Sequence, residues 1–463
     1  MHIQNKQVNS RYLIVISLIA GMGGYLFGYD WVVIGGAKAF YEIYFSITNI
    51  PWLQGWVMSS AILGCLIGVL ISGTLSDKYG RKNMMIAAAL IFAVSAIGTG
   101  AAHTIDLFIL FRIISGIGIG VASNISPMYL SEVSPPAVRG KFVTIYQLAV
   151  VLGILSAQLV NWLIAEPVIP GEAILYTWNG QTGWRWMFWA PAIPALLYLM
   201  LTFIIPESPR WLASKKQYER ATAIFTRIAD KAYATELMGE VRKKASVQVE
   251  NVKLSYLFKG KVFRITLIGI VIAVLQQWCG INVVFNYAQE IFSAAGYSVS
   301  DMLFNIVVTG VVNVVFTIVG MYTVDRLGRR LLMLMGTIGL SVIYLVLGAG
   351  YYFRIEGMLM LILVVLAIAI YAMTLAPVTW IVISEIFPTK FRATGMAIST
   401  FALWSACFIL TYTFPLLHHS LGAYGTFWLY GFICLTGFLF MKMNLPETKG
   451  KSLEEIESII TGR

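Results

Sequence analysis

Four amides crowd one apolar stretch of the chain: Gln276, Gln277, Asn282 and Asn286. Each offers hydrogen-bond donors and acceptors together. Inside hydrocarbon such groups are costly unless they face a partner or a cavity. Positions 282 and 286 are four apart and share a helix face. Gln276 and Gln277 lie about two turns earlier. A neutral, hydroxyl-rich ligand calls for this chemistry, with aromatic faces for its C–H surface and no fixed charges. A ligand site is the preferred reading of the cluster, although a single Asn there would more simply bond to a neighbouring helix.

Asp30 and Arg112 are a second pair of interest. Asp30 is the acid most clearly inside an apolar run, and an ionisable residue at such depth is a functional candidate by default. If the first run points outward and the fourth inward, the two residues share one depth and can pair. Protonating Asp30 would then release Arg112. The bland alternative is a purely structural ion pair.

A third set repeats along the chain. Asp77-Lys78-Tyr79-Gly80-Arg81-Lys82 returns as Asp325-Arg326-Leu327-Gly328-Arg329-Arg330, Ser131-Glu132 with Arg139 as Ser384-Glu385 with Arg392, and Pro206-Glu207-Ser208 as Pro446-Glu447-Thr448, at offsets of 248, 253 and 240 residues. Three markers in one order at nearly one offset indicate an internal duplication, and parallel six-helix repeats around a midplane site are a transporter architecture. The Asp, Arg and Glu residues are expected to form a gate on the cytoplasmic side; the simpler alternative is that they only anchor topology.

These residues must be positioned by membrane-spanning helices. The 463 residues are 58% hydrophobic and only 12% charged, about half the charge of an ordinary soluble domain. The apolar residues form runs of about 20, the length that crosses a bilayer as a helix. Twelve spans are expected, at 12–36, 53–75, 84–102, 107–129, 142–165, 186–205, 264–290, 302–323, 331–352, 358–383, 394–417 and 423–444. The first carries no small-residue cleavage pattern and is read as a retained helix, not a signal peptide. The expected division is a six-helix bundle over 1–205, a cytoplasmic helical linker over 206–263, a second bundle over 264–444 and a cytoplasmic tail over 445–463. Within the linker, Tyr218–Ala229 has apolar residues at helical spacing and predicts a short amphipathic helix.

The net charge of +11 marks topology, not nucleic acid. Only Lys38, Arg112, Arg185 and Arg354 of the 33 Lys and Arg residues fall in odd-numbered connections or outer halves of spans; the other 29 lie at the termini or in even-numbered connections. Positive residues stay inside, so both termini are expected in the cytoplasm. Cys65, Cys279, Cys407 and Cys434 lie within spans without disulfide or zinc spacing, and the four histidines have no ligand pattern. No metal or cofactor is expected. There is no nucleophile–base set and no phosphate loop, so an enzyme is not expected.

Taken together, the motifs resemble the sugar porter family of the major facilitator superfamily over essentially the whole chain. The resemblance rests on Gly73-x-x-x-Asp77-x-x-Gly80-Arg81-Lys82, Arg112-x-x-x-Gly116, Pro206-Glu207-Ser208-Pro209-Arg210-Trp211-Leu212, Gln276-Gln277-x-x-Gly280-Ile281-Asn282 and Pro446-Glu447-Thr448-Lys449-Gly450. The turn motif marks only the superfamily; the Pro-Glu-Ser-Pro-Arg and Gln-Gln-x-x-Gly-Ile-Asn elements narrow it. The stretch from Tyr371 to Arg392 is most similar to bacterial xylose–proton symporters. The resemblance implies an all-α fold of two six-helix bundles. It implies sugar contacts from Gln147, Gln276, Gln277, Asn282, Asn313, Trp380 and Trp404, with Phe27 and Tyr287 lining the cavity. Without it, Trp380 and Trp404 could equally be interfacial aromatics. It also implies proton coupling through Asp30 and Arg112, since facilitative carriers usually have Asn at the Asp position.

Three positions depart from the xylose-symporter pattern: Leu403 and Ile154 replace polar residues, and Trp31 replaces a small one. A hexose such as glucose is therefore as good a candidate as xylose. The expected function is a proton-coupled monosaccharide symporter in the inner membrane of a bacterium, working as a single chain. A facilitative uniporter is the alternative. A drug exporter is disfavoured by the amide cluster, and a nutrient sensor by the roughly 19-residue tail after the last span.

Overall fold

The computed structural model describes residues 9–135, 138–168, 173–228, 234–236, 238–239, 260–387 and 392–449. Among these the regular structure is helical, with no strand. The long helices are α1 (Ser10–Tyr44), α2 (Pro51–Tyr79), α3 (Arg81–Ala101), α4 (Ile105–Val133) and α5 (Arg139–Ile164) in the first half. In the second half they are α10 (Gly260–Trp278), α13 (Val299–Leu327), α14 (Arg329–Tyr352), α15 (Met358–Met373) and α17 (Arg392–Asn444). Among the described residues, ten helices are long and apolar enough to cross a membrane.

Ten reconciles with the expected twelve through two local features. The sixth span is broken into α6 (Trp184–Trp189) and α7 (Ala192–Thr202). Pro191 sits at the break, where it lacks an N–H and crowds the carbonyl four residues back. The eleventh and twelfth spans run on as α17, turned at Gly422, whose φ of 67° and ψ of 178° are non-helical. The seventh span, expected as one helix over 264–290, is in fact α10, α11 (Ile281–Asn286) and α12 (Ala288–Ala294), interrupted near Gly280 and at Tyr287. The tenth is α15 and α16 (Leu375–Ile386), parted at Thr374. Pro377 follows three residues later and leaves the carbonyl of Met373 without its helical partner.

The spans are apolar on all sides, as helices buried in protein on one face and lipid on the other must be. On α3, Leu90, Val94 and Ile97 are about half exposed, whereas Met85, Ala88, Ala89 and Phe92 are buried. The linker helices α8 (Pro209–Ser214) and α9 (Tyr218–Ile228) close on themselves. Leu212, Ala213, Ala221 and Phe225 bury one another together with Ala234 and Met238. The amphipathic helix expected there thus spends its apolar face on a local core.

The described chain forms two compact units. One is Met1–Trp31, Leu63–Ala157 and Arg185–Glu250; the other is Val32–Ile62, Gln158–Trp184 and Asn251–Arg463. In the first, α1 and α5 meet without side chains between them. A Cβ on Gly28 would lie 1.9 Å from the Val150 carbonyl oxygen, and one on Gly153 would lie 2.0 Å from that of Tyr25. Small residues permit such backbone approach in lipid, where packing replaces the hydrophobic effect as the force between helices.

No flexible side chain can yield at Gly28. Gly28→Ala should therefore cost upward of about 3 kcal/mol by overpacking and lower the thermal unfolding midpoint in detergent clearly. Gly73→Ala should leave the midpoint unchanged or raised, since nothing lies within 4 Å of its Cβ position.

Candidate functional site

Two turns of sequence logic bring Asp30 and Arg112 together. The close α1–α5 crossing at Gly28 seats the end of the first unit's α1 segment, and α4 presents Arg112 beside it. Arg112 Nη1 donates to both carboxylate oxygens of Asp30 at 3.0 Å, and Nη2 reaches the Asp30 carbonyl at 3.4 Å. Arg112 is 2% exposed and Asp30 7%. The guanidinium lies 5.9 Å from the Phe188 ring centroid. Arg112 Nε is buried without a hydrogen bond among the described residues. The pair therefore uses one nitrogen for both oxygens instead of the parallel two-nitrogen fork, the stronger arrangement.

In the second unit the amides form a directed chain. Asn282 Nδ2 donates to Gln277 Oε1. Gln277 Nε2 donates to Gln276 Oε1 at 2.5 Å, and Gln276 Nε2 to the Tyr371 hydroxyl at 2.5 Å. The second N–H of Asn282 reaches Cys407 Sγ at 3.5 Å. Breaks in two spans assemble this chain. Gly280, at φ 82°, swings Asn282 back toward Gln277. Tyr371 lies one turn before the tenth-span break, where the Thr374 hydroxyl bonds the Ile370 carbonyl at 2.5 Å. Gln276 and Gln277 are buried and Asn282 half-buried.

The other expected ligand-site residues fall as follows. Gln147 is half-buried on α5, one turn before Val150. Phe27 is half-buried on α1, with its ring edge-on to Trp31 at 5.9 Å. Asn313 on α13 and Trp404 on α17 are buried, while Trp380 on α16 is 39% exposed. Tyr287 is wholly buried. It donates its hydroxyl to the Thr411 carbonyl at 2.8 Å and packs 4.3 Å from the Phe414 ring.

The repeated motifs build the same device twice. In the first half Gly80 turns the chain at φ 94°, a conformation that favours glycine; its Cβ position is filled by the Glu207 carboxylate. Glu207 accepts the N–H groups of Arg81 at 3.0 Å, Lys82 at 3.1 Å and Ser208 at 2.7 Å. It thus sits on the positive end of α3. Arg81 pairs with Glu132 at 3.0 Å and Asp77 at 3.1 Å, and Ser208 Oγ donates to Glu132 at 2.5 Å. In the second half Gly328 turns at φ 92°. Glu447 accepts from Arg329 N at 3.0 Å, Arg330 N at 3.1 Å and Lys449 N at 2.9 Å, and Arg329 pairs with Glu385 at 3.3 Å. Each of these pairs closes within its own half. The side chains of Arg139, Asp325 and Arg392 lie outside the described residues.

The two capping acids differ. Burial is the largest influence on Glu207, and it holds that carboxyl above its ordinary value despite the three N–H donors. Burial also pushes Glu447 upward, but backbone N–H groups of Lys449, Arg329, Arg330 and Thr448 outweigh it and bring it below the usual range.

The sequence by itself assigns no site role to Tyr371, Cys407 or Ser208, which complete these networks, nor to Lys38, one of the four outer cations. Glu42, one turn after Lys38 on α1, was the available signal for a partner.

A family model described as "Sugar (and other) transporter" matches residues 16–460. The chain is 37% identical to the arabinose-proton symporter of Bacillus subtilis, over 97% of this chain and 95% of that one. It is 35% identical to the D-xylose-proton symporter of Escherichia coli, over 98% and 97%. Its structure is similar to the inward-open conformation of the E. coli xylose transporter, with a TM-score of 0.84 at 33% identity, covering 97% of this chain and 100% of that one.

The Glu447 cap yields a pH-dependent expectation. A carboxyl whose folded value is depressed stabilises above its unfolded value, and that contribution disappears as pH falls through the folded value. Glu447→Gln should lower thermal stability at neutral pH by about 0.5–2 kcal/mol, the worth of a helix cap. The gap should close below about pH 4, beneath the ordinary Glu value. Thermal melts of both proteins between neutral and acid pH check this.

Proposed function

The chain belongs to the sugar (and other) transporter family, and from that premise we propose that it is a proton-coupled monosaccharide symporter working by alternating access. Membership makes it a transporter and not an enzyme, and its many apolar spans make it a multi-pass membrane protein. The observation that carries the coupling is the buried Asp30–Arg112 pair. A buried guanidinium that loses its counter-charge is worth several kcal/mol of destabilisation. Protonating Asp30 therefore forces Arg112, and the α1–α4 packing around it, toward another arrangement. Because one Arg nitrogen serves both Asp oxygens, the pair has less to lose than a full fork.

The substrate reading follows from chemistry. The chain from Asn282 through Gln277 and Gln276 to Tyr371 links donors to acceptors, and sugar hydroxyls, which both donate and accept, can take those places. Gln147, Asn313, Trp380 and Trp404 are assigned to sugar binding, with Phe27 and Tyr287 in supporting positions. The relatives are named for arabinose and xylose. Leu403 and Ile154, both buried, remove polar contacts, so we assign a monosaccharide without choosing between xylose and a hexose such as glucose.

The repeated turns, with Asp77, Arg81, Glu132, Arg139 and Glu207 in one half and Asp325, Arg329, Glu385, Arg392 and Glu447 in the other, are assigned as the cytoplasmic gate. The functional division is two bundles, 1–205 and 264–444, joined by the linker at 206–263 and followed by the tail at 445–463. Both termini face the cytoplasm of a bacterial cell, and the working form is a single chain.

Uptake of labelled xylose and glucose into energised vesicles tests this. A protonophore should abolish accumulation by the native protein. Asp30→Asn should still exchange sugar across the membrane but no longer concentrate it. Native vesicles that merely equilibrate sugar, indifferent to the protonophore, would make this a uniporter with a structural Asp30–Arg112 pair.

A further inference from the structure

A second cluster of ionisable groups, Lys38 and Glu42 buried and Glu290 half-buried, lies in the other compact unit. Lys38 on α1 is 2% exposed and Glu42, one turn on, 5%. Lys38 Nζ is 2.9 Å from Glu42 Oε1 and also pairs with Glu290 Oε1 on α12. Gln54, in the first turn of α2, donates to Glu42 Oε2 at 3.1 Å. The Tyr287 ring lies beneath Lys38, 5.5 Å from its nitrogen. Tyr287 faces the two carboxylates, with Tyr41 beside it, but their hydroxyls are directed to the Thr411 carbonyl and to Met58 Sδ. From α17, His418 faces Glu290 and Lys38, with His419 beside it.

The charges do not balance. One ammonium serves two carboxylates, so the triad carries a net negative charge when all three are ionised. Glu290 Oε2 is buried with no hydrogen-bond partner among the described residues. An excess buried charge is costly, and two carboxylates sharing one site do not both stay ionised easily. The economical remedy is a proton. We propose that Lys38, Glu42 and Glu290 form a second proton-binding site at the outer end of the spans, and that a proton there unties α1 from α12.

The asymmetry of the triad decides what the proton does. Glu42 is on the same helix as Lys38, at the spacing that keeps i and i+4 partners together, and stays with it in any arrangement. Glu290 belongs to the second half of the sequence. A neutral Glu290 leaves Lys38 paired with Glu42 and removes the ionic tie across the halves. The same stretch of α1 is seated against α11: a Cβ on Gly35 would be 3.0 Å from the carbonyl oxygens of Phe285 and Asn286. These segments must part whenever the outer side opens. A proton arriving from outside would release them before it reaches Asp30. The side assignment rests on the orientation proposed above; the release does not require sugar coupling.

The test measures opening directly. The four native cysteines are buried, so Met58→Cys, at a position 3% exposed, serves as reporter for a membrane-impermeant maleimide added outside. Rates are normalised to Trp52→Cys, at a position already 55% exposed, which removes the pH dependence of thiol chemistry. With the parent reporter, labelling should accelerate as outside pH falls from about 7.5 to 5.5. Glu290→Gln should label about tenfold faster at the higher pH, the shift expected when one tie is lost from a two-state equilibrium, and should respond little to pH. Lys38→Met, which also removes the tie, should likewise label faster at the higher pH, and sugar binding by each variant verifies its fold. Replacing sodium by choline should change nothing. Native-like rates and pH dependence in Glu290→Gln would overturn the proposal, as would a response to sodium in place of protons. Because the labelling needs neither sugar nor a gradient, its failure is separate from a failure of symport in the vesicle assay.

Discussion

A charge placed among apolar helices must bring its counter-charge with it, and much of this structure can be read from that constraint. A charge buried among apolar helices loses its hydration, so an unpaired ion there costs several kcal/mol. Arg112 is tolerated because Asp30 meets it. Arg81 is tolerated at the start of α3 because Glu132 and Asp77 meet it. A carboxylate also settles on backbone N–H groups at helix starts, as Glu207 and Glu447 do. Each pair is then a natural point of control. Neutralising one member leaves the other stranded, and the helices carrying them must respond.

The duplicated turns illustrate how one arrangement is used with two electrostatic settings. Gly80 and Gly328 make the same turn, and Glu207 and Glu447 cap the helix that follows. Yet burial dominates at Glu207 and donated hydrogen bonds dominate at Glu447, so their proton affinities move in opposite directions. The local environment of each copy, not the motif, sets the result. Lys82 and Arg330 add a further parallel, reaching the Phe203 and Lys442 carbonyls at 2.7 and 2.8 Å.

Interrupted spans are the other recurring device. An unbroken helix satisfies its backbone internally and presents side chains at fixed intervals. Breaking the seventh span at Gly280 and the tenth at Thr374 frees backbone groups and re-aims side chains. Such breaks are tolerated in membranes only where protein or a cavity receives them. Here they let Asn282 turn back onto Gln277 and let Tyr371 close the amide chain.

Much was legible in the chain alone. The runs of about 20 apolar residues dictate spans because lipid leaves the backbone no other partner. The spacing of Asp77, Glu132 and Glu207 against Asp325, Glu385 and Glu447 reveals the duplication, since turn chemistry is local. Asp30 and Arg112 could be paired from topology, because depth follows from span direction. The tertiary structure alone decided the rest. Periodicity carries no trace of a break that neighbouring helices accommodate, so the seventh span reads as continuous, whereas in the fold Gly280 breaks it against Tyr430. Lys38 and Glu290 are 252 residues apart, and nothing in either neighbourhood names the other. A long-range ion pair is set by how whole helices pack, and only the folded chain holds that information.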